Sequence, residues 1–250
     1  MIEKDIGFVI KRRNFRETSV IVDIFTLRFG RITGILKGFY TIKKEFSSFL
    51  DILTLNEFVF YPKQRQIWLV SYVDYICGYS FLRKDIPKAR VAAVFSDLID
   101  KTMQPWDINQ DIFYLLKDCL EWLDKEKDYK VIYVFLIKFL TISGFKPEFN
   151  RCIICHKELE REISFSISRG GLVCSFCCRS APDSKRIRNE TSSSLLYIQQ
   201  ISSPKVYRLR PTYLCEKEIF YLLREFLMYH LDIDISKKLQ SKSYKSFVPN

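Results

Sequence analysis

Apolar and polar positions follow a strand-like pattern through the first eighty or so residues. The runs Phe8 to Arg13, Ser19 to Leu27, Ile32 to Phe39, Leu55 to Tyr61 and Gln66 to Ile76 are rich in Val, Ile, Phe, Tyr and Thr. Turn formers separate them. Phe29-Gly30-Arg31 predicts a tight hairpin in which glycine takes positive φ, and Pro62-Lys63-Gln64-Arg65 turns the fourth run into the fifth. Five short strands in about eighty residues is the size of a small closed barrel, and the OB-fold is the commonest five-stranded form. Alternation puts Ile32, Gly34 and Leu36 on one face of the third strand and Arg31, Thr33, Ile35 and Lys37 on the other. The same rule sets Phe8 and Ile10 of the first strand opposite Lys11 and Arg13.

From Asp85 the period becomes helical. Pro87 suits a first turn, and Ala89 to Thr102 carries apolar residues three and four apart. Pro105-Trp106-Asp107 breaks that pattern. Asn109 or Asp111 is positioned to cap a helix to about Leu123, with Phe113, Leu116, Leu120 and Leu123 on its apolar stripe. Tyr129 to Ser143 reads as a buried helix ended by Gly144. Its apolar core from Val131 to Ile142 carries Lys138 and falls short of the ~20 residues a membrane span needs. Ile163 to Ile167 predicts a short strand and Gly170-Gly171 a turn. Further helices are expected from Thr191 to Ile201 and from Glu216 to Leu231, with a frayed polar tail after Ser236. The fold class is therefore α+β: an N-terminal five-stranded OB barrel over 1–80, then a helical domain over 81–250.

Charge changes the picture from architecture to partners. The chain carries 40 basic and 29 acidic residues, a formal net charge of +11. A balance of this sign suits polyanions, nucleic acid first. The excess is local. Lys11, Arg12, Arg13, Arg16, Arg28, Arg31, Lys37, Lys43 and Lys44 face only Glu17 and Asp23 between positions 11 and 44, whereas basic and acidic residues balance from Phe81 to Asn150. Phe15, Phe29, Phe39 and Tyr40 lie among these cations. Cations that track phosphates and rings that stack on bases are the equipment of a single-strand binder; the competing reading of the rings is barrel core. The candidate DNA-binding residues are Lys11, Arg13, Arg16, Arg28, Arg31, Lys37, Lys43 and Lys44. Binding of this kind weakens with salt and is expected to lose slope when Lys37 or Arg31 becomes alanine.

The clearest chemistry lies further on. Cys152-Ile-Ile-Cys155 is followed, eighteen residues later, by Cys174-Ser-Phe-Cys177. Two Cys-x-x-Cys pairs at this separation predict one structural zinc ion, each pair supplying two corners of a tetrahedron. With Cys152, Cys155, Cys174 and Cys177 all bound, no position is left for water or substrate. Disulfides are the competing reading. Met1-Ile-Glu-Lys-Asp5 has no apolar core of an export signal, so a reducing, cytoplasmic setting is expected and favours the metal; association with the nucleoid is expected only if the partner is DNA. His156-Lys157-Glu158 before Cys174-x-x-Cys177 echoes a zinc deaminase, but Val173 stands where that signature has proline and Cys152 and Cys155 would be idle. His156 and Cys178 are alternative ligands; Cys77, Cys119 and Cys215 read as buried apolar residues.

Phosphate-loop and nucleophile-elbow motifs are absent, and no paired carboxylates suggest a two-metal nuclease. His230, the only other histidine, reads as a helix cap or packed ring. The chain reads as a binding protein and not an enzyme.

Three stretches together resemble the RecO family of bacterial recombinational repair proteins. They are Gly7-Phe-Val-Ile-Lys-Arg-Arg13 with Glu17 to Thr26, Gly30-Arg-Ile32 and Leu36-Lys-Gly38; Gly144-Phe-Lys-Pro147 leading into the first cysteine pair, with Gly170-Gly-Leu-Val-Cys174; and Leu222 to Leu231. The resemblance implies an OB barrel, a helical domain and a zinc module at about 148–182. It implies binding to single- and double-stranded DNA, annealing of complementary strands and loading of the RecA recombinase onto strands coated with single-stranded DNA-binding protein. It implies RecR and the C-terminal tail of single-stranded DNA-binding protein as partners, with no membrane and no small-molecule substrate. Two positions depart from the family pattern: His156 stands where glycine is usual, and Phe39 follows Gly38 where a basic residue is common. The alternative function is an RNA- or ribosome-associated OB and zinc-ribbon protein.

Overall fold

The computed structural model describes residues 2–40, 49–63, 67–126, 129–159, 162–201 and 205–239. Two compact units divide the chain, Met1–Lys125 and Glu126–Asn250. The first contains five strands: β1 (Glu3–Phe15), β2 (Ser19–Thr26), β3 (Gly30–Leu36), β4 (Leu55–Tyr61) and β5 (Trp68–Cys77). They close into a barrel in the order β1-β2-β3-β5-β4, the five-stranded OB-like architecture. β1 is long because it serves two neighbours. Glu3 to Phe8 pair with β4, while Gly7 to Phe15 pair with β2. A short parallel contact, Gly34 to Trp68 and Ile35 to Leu69, closes the ring. The close approach requires glycine: a Cβ at Gly34 would lie 2.6 Å from a Val70 methyl.

β2 is buried at every position. Val20, Val22 and Ile24 join Val9, Ile32 and Phe58 in the barrel core. The other face is covered by helices of the same unit, because Phe8 and Phe25 both pack on Phe113 at 5.1 and 5.9 Å between ring centres. Those helices are α1 (Phe81–Lys84), α2 (Ile86–Thr102) and α3 (Gln110–Lys125). Asp85 caps α2 by accepting from the Lys88 amide at 3.0 Å, and Asn109 caps α3 by accepting from Ile112 at 3.0 Å. The Ser96 hydroxyl of α2 donates to the Ile10 carbonyl at 3.0 Å. The segment between the helices docks on the β2–β3 turn. The Trp106 amide donates to the Arg31 carbonyl at 2.9 Å, and a Cβ at Gly30 would lie 2.2 Å from the Asp107 carbonyl oxygen.

One expectation about β1 fails. The β1–β2 register shifts between Val9 and Lys11, making Ile10 an extra residue. Phe8 and Lys11 therefore share the outer face, paired with Phe25 and Asp23, whereas strict alternation puts them on opposite faces. After the bulge Arg12 and Asn14 pair with the core-facing Val22 and Val20 and so turn toward the mouth of the barrel.

The second unit is built on α4 (Val131–Ile142), whose residues are buried almost all round. Lys138 is half-buried and donates to the Gln199 carbonyl at 2.9 Å, and burial lowers its pKa. A three-stranded sheet, ordered β7-β6-β8, comprises β6 (Ile163–Ser166), β7 (Gly171–Cys174) and β8 (Lys185–Ile187). Then follow α5 (Asn189–Gln200), α6 (Tyr213–Leu231) and the single turn α7 (Ser236–Leu239). Cys119 and Cys215 are fully buried, as expected of apolar cysteines, but Cys77 at the end of β5 is only partly buried. His230 packs on Phe226 with ring centres 4.2 Å apart and hydrogen-bonds the Ile167 carbonyl at 2.8 Å. No helix among the described residues is long and apolar enough to cross a membrane.

Candidate nucleic-acid interface and metal centre

The basic residues between 11 and 44 do not form one patch. β2 separates the turn at Arg16 from the turn at Arg28 by seven residue steps, about 23 Å at strand rise. Arg28 lies at the second turn and is held by Asp5, which accepts its backbone amide at 2.7 Å and pairs with its guanidinium at 3.4 Å. On the outer face two aspartates absorb three more cations. Asp100 of α2 pairs with Arg31 at 2.8 Å and Lys11 at 3.3 Å. Asp23 pairs with Arg13 at 3.7 Å and accepts from Thr33 at 2.6 Å. Arg16 and Lys37 are exposed and have no carboxylate partner among the described residues. They share one end of the barrel, because Phe15 pairs with Ser19 and Leu36 with Val20. Lys43 and Lys44 lie outside the described residues.

At this same end an open cleft of about 1210 Å³ is cut into the first unit. Arg12, Arg13 and Asn14 of β1 form one wall; Tyr40, Phe49 and Tyr75 contribute rings. Arg12 sits over the Phe39 ring at 5.2 Å and donates to the Tyr40 hydroxyl at 3.2 Å. Phe49 and Tyr75 stack with centres 5.2 Å apart. A groove that combines guanidinium groups with aromatic faces matches the physical demands of single-stranded nucleic acid: cations for phosphate, π faces for bases. Arg12 and Tyr75 were not singled out as binding residues by sequence. Arg12 reaches the cleft only because of the bulge at Ile10, which alternation cannot foresee, and Tyr75 arrives from a strand distant in sequence.

The four cysteines are brought together as their spacing predicts. The Sγ atoms of Cys152, Cys155, Cys174 and Cys177 all lie within 4.8 Å of one another, and Cys155 and Cys174 are 3.8 Å apart. A tetrahedral ion with metal–sulfur bonds of about 2.3 Å spaces its thiolates about 3.8 Å apart, so the cage fits. Each knuckle closes on itself: the His156 amide donates to the Cys152 carbonyl at 2.9 Å, and the Cys177 amide donates to the Cys174 carbonyl at 3.1 Å. The sheet holds the knuckles in register. Cys174 ends β7 opposite Ile163 of β6, and the Ile153 amide donates to the Leu172 carbonyl at 2.8 Å.

Electrostatics favour a cation there. Burial opposes ionisation of Cys152, but amides of Cys155, Cys174 and Ile154 outweigh it and bring the thiol down to about 6. Burial and the three neighbouring thiols push Cys177 up to about 12. One thiolate therefore forms readily while the last resists, and a divalent ion resolves that conflict. The two other candidate ligands stand elsewhere. Cys178 bonds the Ser184 and Ser164 hydroxyls at 3.1 and 3.4 Å, which lower its pKa. His156 lines a separate polar cleft with Arg151 and Ser192. An ion held by all four cysteines would have no open position left for a reacting group.

Two family models cover the chain: recombination protein O N terminal over residues 1–76 and recombination protein O C terminal over residues 83–239. Among curated relatives, the DNA repair protein RecO of Alkaliphilus metalliredigens (strain QYMF) is 26% identical over 247 residues, covering 96% of this chain and 100% of the relative. The DNA repair protein RecO of Syntrophus aciditrophicus (strain SB) is 28% identical over 210 residues, 81% of each chain. That of Caldicellulosiruptor bescii is 31% identical over 172 residues, covering 68% of this chain and 70% of the relative. With the barrel in the part matched by the N-terminal model and the cysteine cage in the part matched by the C-terminal one, the chain belongs to the RecO family of DNA repair proteins.

Proposed function

We propose that the protein is a non-catalytic mediator of recombinational repair, which binds single- and double-stranded DNA, anneals complementary strands and helps load recombinase onto strands coated with single-stranded DNA-binding protein. The observation that carries this reading is the barrel-end cleft, lined both by Arg12 and Tyr40 and by the stacked Phe49–Tyr75 pair, at the same end as the exposed cations Arg16 and Lys37. Annealing requires two phosphate chains to approach without their bases being read. Guanidinium and ammonium groups reduce that repulsion and carry no sequence information.

The cysteine cage is read as a structural zinc site. Four thiolates form the usual donor set for zinc, and the ion would fix the turn geometry of both knuckles. RecR and the C-terminal tail of single-stranded DNA-binding protein are the protein partners that the family resemblance supports.

The test is a strand-annealing assay on complementary DNA covered with single-stranded DNA-binding protein, with and without RecR. Annealing faster than the spontaneous rate, and altered by RecR, is expected. Preferential binding to structured RNA with no annealing of coated DNA would replace this reading with the RNA-associated one.

A further inference from the structure

The second knuckle displays an aromatic ring that its surroundings leave bare. Phe176 lies between the metal-site cysteines Cys174 and Cys177 and is 84% exposed, the highest value among the large apolar side chains of the described residues. Its backbone is held on both sides. The Cys177 amide closes the knuckle on the Cys174 carbonyl at 3.1 Å, and the Ser180 amide continues into a 3-10 turn by donating to Cys177 at 2.9 Å. A ring on so constrained a turn loses little conformational freedom when it makes a contact.

Two cations at the turn that follows lack counter-charges among the described residues. Arg179 follows three residues later in the 3-10 turn and is exposed. Arg169 is anchored to the same turn, donating to the Ser180 carbonyl at 3.0 Å. Neither has a carboxylate partner among the described residues, whereas Arg151, Arg186 and Arg188 of this unit pair with Glu148, Glu162 and Glu218. A protein-binding hot spot would be expected to have apolar neighbours around its anchor. Along the knuckle Phe176 is flanked by Ser175 and Cys177 and not by large apolar residues. An exposed ring followed by a turn that gathers two guanidinium groups without carboxylates is instead complementary to a base with its neighbouring phosphates.

We infer that the second knuckle is a nucleic-acid contact, in which Phe176 stacks on a base of a single strand and Arg169 and Arg179 meet the flanking phosphates. The inference rests on the proposed DNA-binding function and adds to it a second contact, outside the barrel, that depends on bases but not on their sequence. The metal keeps its structural role and supports the turn that carries the ring.

The test uses the metal-loaded full chain and two labelled strands of equal length, oligo(dT) and an abasic strand, followed by fluorescence anisotropy. Phe176→Ala is expected to weaken oligo(dT) binding about five- to tenfold, the scale of one base–ring stack. Phe176→Trp should restore it. Neither change should affect the abasic strand, the metal content or the melting temperature, because the ring faces solvent. Undiminished oligo(dT) binding by Phe176→Ala would overturn the inference, as would equal weakening on the abasic strand. Loss of binding to a glutamate-rich peptide, with oligo(dT) binding unchanged, would make the knuckle a protein-docking point and also overturn it. Failure of the parent protein to bind either strand would instead refute the DNA-binding function itself.

Discussion

His156 occupies a left-handed backbone position, φ +59°, directly after the first cysteine pair. An L-residue there brings Cβ close to the following carbonyl, a strain of about 1–2 kcal/mol that glycine avoids. The knuckle requires the conformation because the His156 amide must return to the Cys152 carbonyl. A glycine at this position would relieve that strain, and His156 is not one of the residues whose ligand atoms cluster in the cage. His156→Gly should raise the stability of the metal-loaded protein by several tenths of a kcal/mol, the relief being partly offset by the freer unfolded chain. Thermal unfolding at fixed metal content measures it; a clear loss of stability would mean that the imidazole makes a contact worth more than the strain. The position was marked by sequence, but the sign of φ was not. Likewise the basic residues were visible while their partners were not. Arg31 meets Asp100 across 69 residues of sequence, a contact that no local pattern encodes.

At the scale of elements, the legible features were those set by short-range rules. The five strands, the cap at Asn109, the buried α4 and the Gly170 turn all follow from periodicity, capping or positive φ. The strand β7 and the turn α7 were not foreseen, and two further features escaped. The bulge at Ile10 obeys the packing of α2 on β1, and β8 is a three-residue edge strand whose sequence, Lys185-Arg186-Ile187, reads only as a basic patch. β8 is placed by the turn before it. Asp183 accepts from the Ser166 hydroxyl and the Ser168 amide, both at 2.8 Å, tying the chain ahead of β8 to the end of β6. Burial raises the Asp183 pKa, but these hydrogen bonds prevail and hold its carboxyl below the usual aspartate range. The group therefore stabilises the fold above the ordinary aspartate value of about 3.9, and that stabilisation is lost as pH falls through the lower folded value. Asp183→Asn should reduce stability to urea near neutral pH, by about 1 kcal/mol, and the difference should shrink in acid. A difference independent of pH would show that the ionised carboxylate is not what holds the turn.

For the molecule as a whole, the sequence pattern divides the work between shape at the cysteines and charge near the other end. The Cys-x-x-Cys spacing was sufficient to locate the cysteine cage, because four sulfurs on two tight turns leave little choice of geometry. Charge proved less simple. Most of the cations counted between 11 and 44 that the structure describes are occupied by Asp5, Asp23 and Asp100, and total charge does not distinguish a paired guanidinium from a free one. What is left for a polyanion is narrower: Arg16 and Lys37 at the barrel end, beside the cleft in which Arg12 already pairs with Asp51 at 3.9 Å.

The salt dependence of single-strand binding tests that assignment most directly. Affinity for an oligo(dT) strand, measured from low to high salt, should fall along a line in log–log form. The double variant Arg16→Ala/Lys37→Ala should flatten the slope by about 0.7 for each phosphate that is no longer neutralised. Arg31→Ala should leave the slope unchanged and instead lower stability to denaturant, since its partner is Asp100. A slope that is insensitive to Arg16 and Lys37, or one that Arg31→Ala flattens in a protein of undiminished stability, would contradict the account.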